Sequence, residues 1–83
     1  MLFKSKVEVS LKPGHSDPEG ETTTRSLREL AYPVKNVGVS KTYTIVLEAG
    51  SLNDAETKVK EMCKKLLANP TKDNYSFQVE ETK

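Results

Sequence analysis

The segment Ser51–Pro70 constrains the fold most, because its apolar residues recur at three- and four-residue intervals. On a helix of about 3.6 residues per turn, that spacing places them in one continuous stripe. The stripe consists of Leu52, Ala55, Val59, Met62, Cys63, Leu66 and Leu67. Ser51 or Asn53 can cap the first turn, and Pro70 ends the helix because the residue before a proline avoids the α region. The predicted helix therefore has one face that another layer must cover.

The length and composition predict one small domain, residues 1–83, with a thin core. Only 35% of the 83 residues are hydrophobic, and there is no Trp. A single Cys excludes an internal disulfide and no cluster of metal ligands is visible, so oligomerisation is one remaining route to stability. The 13 basic and 12 acidic residues are well mixed, which gives no reason to expect nucleic acid or an anionic membrane as a partner. No stretch approaches the ~20 apolar residues of a membrane span and no signal peptide is apparent, so we expect a cytoplasmic protein.

The elements on either side of this helix are predicted from alternation and capping. Residues 2–12 alternate as a half-buried strand, and residues 75–79 alternate in the same way near the C-terminus. Asp17 and Pro18 start another helix, because aspartate is a strong N-cap and proline fits the first helical position. We expect that helix to extend to about Ala31. Its expected inward positions are Thr23, Leu27, Leu30 and Ala31.

The middle of the chain favours one long strand, residues 36–48, over a hairpin. Apolar residues occupy odd positions from Val37 to Leu47 without a change of phase, except at Lys41. A two-residue hairpin at Ser40 and Lys41 would send Tyr43 to the face opposite Val39. One strand of this length spans roughly 43 Å, whereas a compact domain of this size is only about 30 Å across. Part of the strand should therefore extend beyond its own domain and pair with a second copy.

The candidate reactive residues have ordinary structural interpretations. Cys63 lies on the apolar stripe and is expected in the core rather than as a nucleophile. His15 is expected in an exposed loop rather than as a general base. Three carboxylates near the first helix start would repel a phosphate, and no nucleotide-binding loop occurs elsewhere. The even-numbered face of the sheet is rich in hydroxyl and amide groups, which is compatible with exposure to solvent or with a hydrated protein–protein interface.

Two motifs carry a family resemblance. They are DPEG at residues 17–20 and KEMCKKLLANP at residues 60–70, followed by Asp73, Tyr75 and Val79–Glu81. In this register, over nearly the whole chain, the sequence resembles the PurS family of small subunits of phosphoribosylformylglycinamidine (FGAM) synthase.

The resemblance implies a subunit of an ATP-dependent glutamine amidotransferase, with no catalytic residue, cofactor site or metal site in this chain. The complex would convert formylglycinamide ribonucleotide, glutamine and ATP to FGAM, glutamate, ADP and phosphate. A large synthetase subunit (PurL-like) would bind ATP and Mg²⁺, and a glutaminase subunit (PurQ-like) would release ammonia. This chain would be a non-catalytic bridge between them. The alternative that we weigh is a small RNA-binding module of ferredoxin-like fold, which the balanced charge and the lack of aromatic residues at exposed strand positions disfavour.

The sequence thus predicts an α+β fold, β-α-β-α-β, with two helices on one face of a ferredoxin-like antiparallel or mixed sheet. The long middle strand is expected to be shared across a homodimer, or across a dimer of dimers. The residues expected at structural or interface positions are Asp17, Pro18, Gly20, Tyr43, Ile45, Leu66, Leu67, Asn69 and Pro70.

Overall fold

The computed structural model describes residues 1–82 and has the predicted β-α-β-α-β order. No helix among these residues is long and apolar enough to cross a membrane. The elements are β1 (Leu2–Leu11), α1 (Pro18–Glu29), β2 (Lys41–Glu48), α2 (Leu52–Met62) with a π-helical turn (Cys63–Leu67) directly after it, and β3 (Asp73–Thr82).

The three strands form one antiparallel sheet in the order β2-β1-β3, which excludes a mixed sheet for the described residues. Val7 on the central strand lies opposite Tyr43 on β2 and Phe77 on β3. Because strand side chains alternate between faces, these odd-numbered residues share the inner face. The predicted phase of all three strands is confirmed.

The core forms where α2 crosses the inner face of β1. One cluster joins Val59 and Cys63 of the helix to Val7 and Val9 of β1, and a second joins Phe3, Ala49 and Ala55. Ser5 is also fully buried on this face, and its hydroxyl oxygen has no hydrogen-bond partner among the described residues. The flanking side chains of β2 and β3 are only half-buried against this core. Helix α2 therefore lies over β1 and β3 and makes no extensive contact with β2, whose flank is the least covered part of the sheet.

The last turn of this helix differs from the predicted stripe. The turn is closed by a hydrogen bond from Ala68 N to Cys63 O, five residues back, at 2.9 Å. Such a turn holds one residue more than an α-turn. Leu67 therefore occupies the inward position above Cys63, and Leu66 turns outward with 83% of its side chain exposed. The predicted burial of Leu66 is wrong, as is that of Leu52, which begins the helix and is largely exposed.

Helix α1 ends two residues before the predicted limit and leaves its last apolar positions exposed. Ala31 adopts a positive φ of 71°. Ala31 N donates to Arg28 O at 2.9 Å and Tyr32 N donates to Leu27 O at 3.0 Å, the pattern of a Schellman motif. Leu30 and Ala31 are consequently exposed, contrary to prediction, whereas Thr23 and Leu27 are half-buried.

The predicted layer of two helices is formed by α2 alone within one chain, because α1 makes no extensive contact with the sheet. The predicted strand over residues 36–48 is paired only from Lys41 onward. Residues 36–40 pair with no strand of the described chain. The molecule measures 51 × 29 × 13 Å and its radius of gyration is 16.4 Å, against about 12 Å for a compact chain of this length.

Candidate interaction surfaces

One region of the molecule stands apart from the sheet and α2. We call α1 together with residues 30–40 the arm, and the sheet with α2 and the π-helical turn the body. Asp17 connects the two parts of the arm. Its Oδ1 accepts from Gly20 N at 2.9 Å and so caps α1, while its Oδ2 accepts from Val39 N at 3.0 Å. One carboxylate therefore satisfies a helix N-terminus and an extended segment at once.

Gly20 lets the extended segment lie directly against α1. A methyl group at this position would overlap the carbonyl oxygen of Val37 and the carboxylate of Asp17. One turn later, Thr24 Oγ1 accepts from Val37 N at 2.8 Å and donates to Gly20 O at 2.7 Å. The predicted cap at Asp17 is confirmed, and Gly20 is needed for close packing within the arm.

Arg28 completes this polar contact. Its Nε donates to Val34 O at 2.9 Å, and a terminal nitrogen donates to Lys35 O. Sequence reasoning missed both Thr24 and Arg28. Their spacing held the signal, because positions 17, 20, 24 and 28 follow each other at three- and four-residue steps along one side of α1. This row of side chains was overlooked because it is polar, and because it forms hydrogen bonds with backbone groups instead of packing into the core.

The inner face of β2 is an incompletely covered apolar surface. Tyr43, Ile45 and Leu47 point toward the core but remain half-buried. Strand β1 pairs with one edge of β2. The other edge of β2 is the outer edge of the sheet and has no neighbouring strand among the described residues. On the opposite flank, the rings of Tyr75 and Phe77 stack with centroids 6.4 Å apart.

The turn at Asn69 and Pro70 is held by a dense set of hydrogen bonds. Asn69 N donates to Asp73 Oδ2 at 2.9 Å, and Thr71 N donates to Asn69 Oδ1 at 2.9 Å. Lys12 Nζ donates to Pro70 O at 3.0 Å and so joins this turn to the end of β1. The predicted positions Asn69 and Pro70 thus fix the path from α2 to β3.

A groove of ≈ 490 Å³ lies between this turn, the π-helical turn and β3, and we call it the π-turn groove. Cys63 is fully buried at its base, and desolvation raises the pKa of its thiol. The expectation that Cys63 is a core residue is confirmed. The groove is lined by Lys12, Cys63, Lys64, Ala68, Pro70, Asp73, Asn74 and Tyr75.

The open face of the sheet is polar. Lys6 at its centre lies opposite Thr44 and Gln78, and Lys4 lies opposite Val46 and Glu80. The even positions of the three described strands carry no aromatic side chain. Such a face lacks the stacking platform on which RNA-binding sheets hold their bases.

The side chains of the described residues are not gathered into a recognisable catalytic or metal centre. His15 is exposed in the loop before α1. Residues 1–82 contain no group of three or more His, Cys, Asp or Glu side chains that could hold a metal ion. The features that stand out are instead surfaces: the arm, the flank of β2 and the π-turn groove.

These features define a small α+β protein with a ferredoxin-like sheet, whose uncovered faces suit contacts with other proteins. A model of the PurS family, described as phosphoribosylformylglycinamidine (FGAM) synthase, matches residues 4–81. The PurS subunit of FGAM synthase from Archaeoglobus fulgidus is 48% identical over 72 residues, covering 86% of this chain and 90% of the relative. The corresponding Bacillus subtilis subunit is 38% identical over 81 residues, covering 96% and 95%.

Solved structures agree with the sequence comparison. Thermus thermophilus PurS superimposes with a TM-score of 0.89 at 34% identity and covers both chains completely. A chain in the structure of PurLQS from Thermotoga maritima gives a TM-score of 0.86 at 34% identity, covering 96% of this chain and 99% of that one. This chain therefore belongs to the PurS family, whose members are subunits of FGAM synthase, a ligase of purine biosynthesis.

Proposed function

We propose that this chain is a non-catalytic bridging subunit of FGAM synthase, which helps to dock a glutaminase subunit onto a synthetase subunit. The likeness to a chain of PurLQS carries this proposal, because that structure combines PurS with two further subunits. In the complex, formylglycinamide ribonucleotide, glutamine and ATP would give FGAM, glutamate, ADP and phosphate. ATP and Mg²⁺ would bind in the large PurL-like subunit, and the complex would work in the cytoplasm.

Reconstitution with the PurL-like and PurQ-like subunits of the same organism tests the bridging function. Glutamine-dependent FGAM formation should require all three chains, whereas this chain alone should give no product. Ammonium chloride as nitrogen source is the control, because free ammonia bypasses the glutaminase and makes docking unnecessary. A glutamine-dependent rate that is equally high without this chain would contradict the proposal.

We further propose that the bridging unit contains a second copy of this chain, with arms exchanged between the two bodies. The large radius of gyration and the unpaired segment 36–40 support this arrangement. In it, residues 36–40 of each copy would pair with the outer edge of β2 in the other copy. Helix α1 would then cover the half-buried side chains of Tyr43 and Ile45 in the partner.

Light scattering at micromolar concentration tests the exchange, with a mass of two or four chains expected. Ile45→Asp should reduce that mass to a single chain, because Ile45 lies on the uncovered inner flank. Val46→Asp is the matched control, since Val46 is next to it on the opposite face and 62% exposed. A folded wild-type monomer at this concentration would refute the exchange, whether or not the Ile45 variant folds.

A further inference from the structure

We propose that the π-turn groove docks a carboxylate-bearing segment of another subunit of the synthase complex. This inference rests on the proposed bridging function and assigns one of its contact sites. The groove lies between the π-helical turn, Lys12 just after β1, the turn at Asn69 and Pro70, and the start of β3.

The shape and base of the groove suit a chain segment. Its volume of ≈ 490 Å³ is within the range of about 300–1,000 Å³ that is usual for binding pockets. Apolar groups from Cys63, Ala68 and Pro70 line it, and Tyr75 adds a half-buried ring. These groups can receive an apolar side chain, as the centre of a protein interface does.

The charge around the groove favours a partner with carboxylates. Lys12 and Lys64 line it, and Lys12 Nζ uses one of its three donors on Pro70 O. Asp73 also lines the groove, but its Oδ2 already accepts from Asn69 N at 2.9 Å. Neither Lys12 nor Lys64 forms an ion pair within 4.0 Å among the described residues, so both ammonium groups are free to meet a carboxylate from another chain.

The π-helical turn also carries an exposed apolar residue. This residue is Leu66, which points outward and is 83% exposed. The neighbouring Lys65 pairs with Glu61 at 3.9 Å, and both side chains are mostly exposed. Leu66 does not line the groove, but it belongs to the same π-helical turn as Cys63 and Lys64, which do, and it offers a partner an exposed apolar contact. Turns of the π type also occur frequently at functional sites.

The groove stays accessible when a second copy occupies the proposed dimer surface. Tyr75 lies on β3, whereas the exchanged segment would pair with β2, and β1 separates these two strands. A third chain can therefore reach the groove without displacing either arm. That placement is what a bridge between two different subunits needs.

Charge reversal in the reconstituted three-subunit complex tests the inference. Lys64→Glu should raise the dissociation constant for assembly about tenfold and weaken its dependence on salt, because a cation facing a carboxylate is lost. Leu66→Asp should weaken assembly by at least as much. Lys6→Glu on the open sheet face and Leu52→Asp at the start of α2 are the controls, and they should leave assembly unchanged. Circular dichroism and light scattering establish that each variant keeps its fold and its mass.

Carbodiimide cross-linking of the wild-type complex gives a direct readout, since it joins lysine amines to carboxylates in contact. Mass spectrometry should find Lys64 or Lys12 joined to an Asp or Glu of another subunit. Two results together would overturn the groove assignment and leave the bridging function standing. The wild type would assemble without such a cross-link, and Lys64→Glu would bind as tightly as Lys6→Glu. Failure of the wild type to assemble would refute both.

Discussion

Helices α1 and α2 have nearly equal lengths, 12 and 11 residues, but they are held in place by different interactions. Helix α2 buries Ala55 and Val59 against the sheet, and Cys63 in the following turn extends that contact. Helix α1 buries only Gly20, and what holds it is a row of side-chain hydrogen bonds to residues 34–39.

This difference shows that the body is stabilised by apolar burial, whereas the arm is ordered by polar contacts. Apolar burial contributes about 25 cal/mol per Å² to the stability of the body. Each hydrogen bond in the arm contributes only about 0.5–1.5 kcal/mol net. The arm is therefore the part whose stability depends most on being covered by something else.

The largest expected difference between the two parts comes from deleting a large apolar side chain in each. Phe3→Ala should lower the free energy of unfolding by about 3–5 kcal/mol, because Phe3 is fully buried. Leu30→Ala in the arm should change it by less than about 0.5 kcal/mol, because Leu30 is 68% exposed. Urea denaturation of both variants measures these values. Equal losses would show that the arm is packed as tightly as the body.

A smaller effect is expected from a methyl group inserted into the arm. Gly20→Ala should cost about 1–3 kcal/mol, because the methyl group would overlap Val37 O and the Asp17 carboxylate. Gly38→Ala is the control in the same arm, since a methyl group there meets no atom within 4 Å. The melting temperatures of the two variants show whether the arm is sensitive to a methyl group only at Gly20, where the packing is close, or at any glycine. Similar melting temperatures would contradict the contact between α1 and the extended segment.

The end of α1 offers a stabilising change. Ala31→Gly should raise the free energy of unfolding by roughly 0.5–1 kcal/mol, because glycine adopts the positive φ of this position without a steric penalty. Ala49→Gly in the body is the counterpart, and it should destabilise because it removes a buried methyl group. Chemical denaturation of both variants shows whether each substitution raises or lowers the free energy of unfolding. A loss of stability in Ala31→Gly would argue against the Schellman motif.

The smallest effect concerns the cap of α2 and its response to pH. Gly50 N donates to Asp54 Oδ2 at 3.0 Å and Lys58 pairs with the same atom at 3.2 Å, and these contacts lower the pKa of Asp54 below its usual value. A lowered pKa in the folded state stabilises the protein above the unfolded-state pKa of about 3.9. This contribution is lost as the pH falls through the lower folded-state value.

The free energy of unfolding, measured between pH 6 and pH 2, should therefore decline slightly less for Asp54→Asn than for the wild type. Glu56→Gln is the control on the same helix, because Glu56 is exposed and forms no ion pair within the described chain. Identical pH profiles for wild type and Asp54→Asn would show that the cap does not act through its charge.

The body was predictable because alternation and helical spacing report burial directly. The inner positions Val7, Ile45 and Phe77, and the caps at Asp17 and Ser51, were all predictable from the sequence. The outward turn of Leu66 was not, because a π-helical turn has no signature in apolar spacing and changes the facing of the residues after it. The burial of Ser5 was also missed, since a hydroxyl gives no apolar signal even in phase with Phe3 and Val7.

The candidate surfaces were only partly predictable. Alternation over residues 37–47 indicated a strand longer than one domain, but pairing depends on a neighbour and so begins at Lys41 within one chain. The π-turn groove joins residues as distant as Lys12 and Tyr75, and no local pattern relates them. Within the two motifs, the residues expected at structural or interface positions were Asp17, Pro18, Gly20, Leu66, Leu67, Asn69 and Pro70. Their backbone hydrogen bonds explain a structural role for Asp17 and Asn69, and the contacts of the others with partners stay predictions.

The double use of the Asp17 carboxylate has a consequence for how tightly two copies would associate in the proposed dimer. Because Oδ1 and Oδ2 hold the helix start and Val39 together, the arm loses part of its conformational freedom when its own chain folds. That entropy is then not subtracted from the free energy of association, which is the advantage of preorganisation. In the proposed dimer, a modest contact area would then suffice for stable association, and a chain lacking the Asp17 side chain would have to order its arm upon binding.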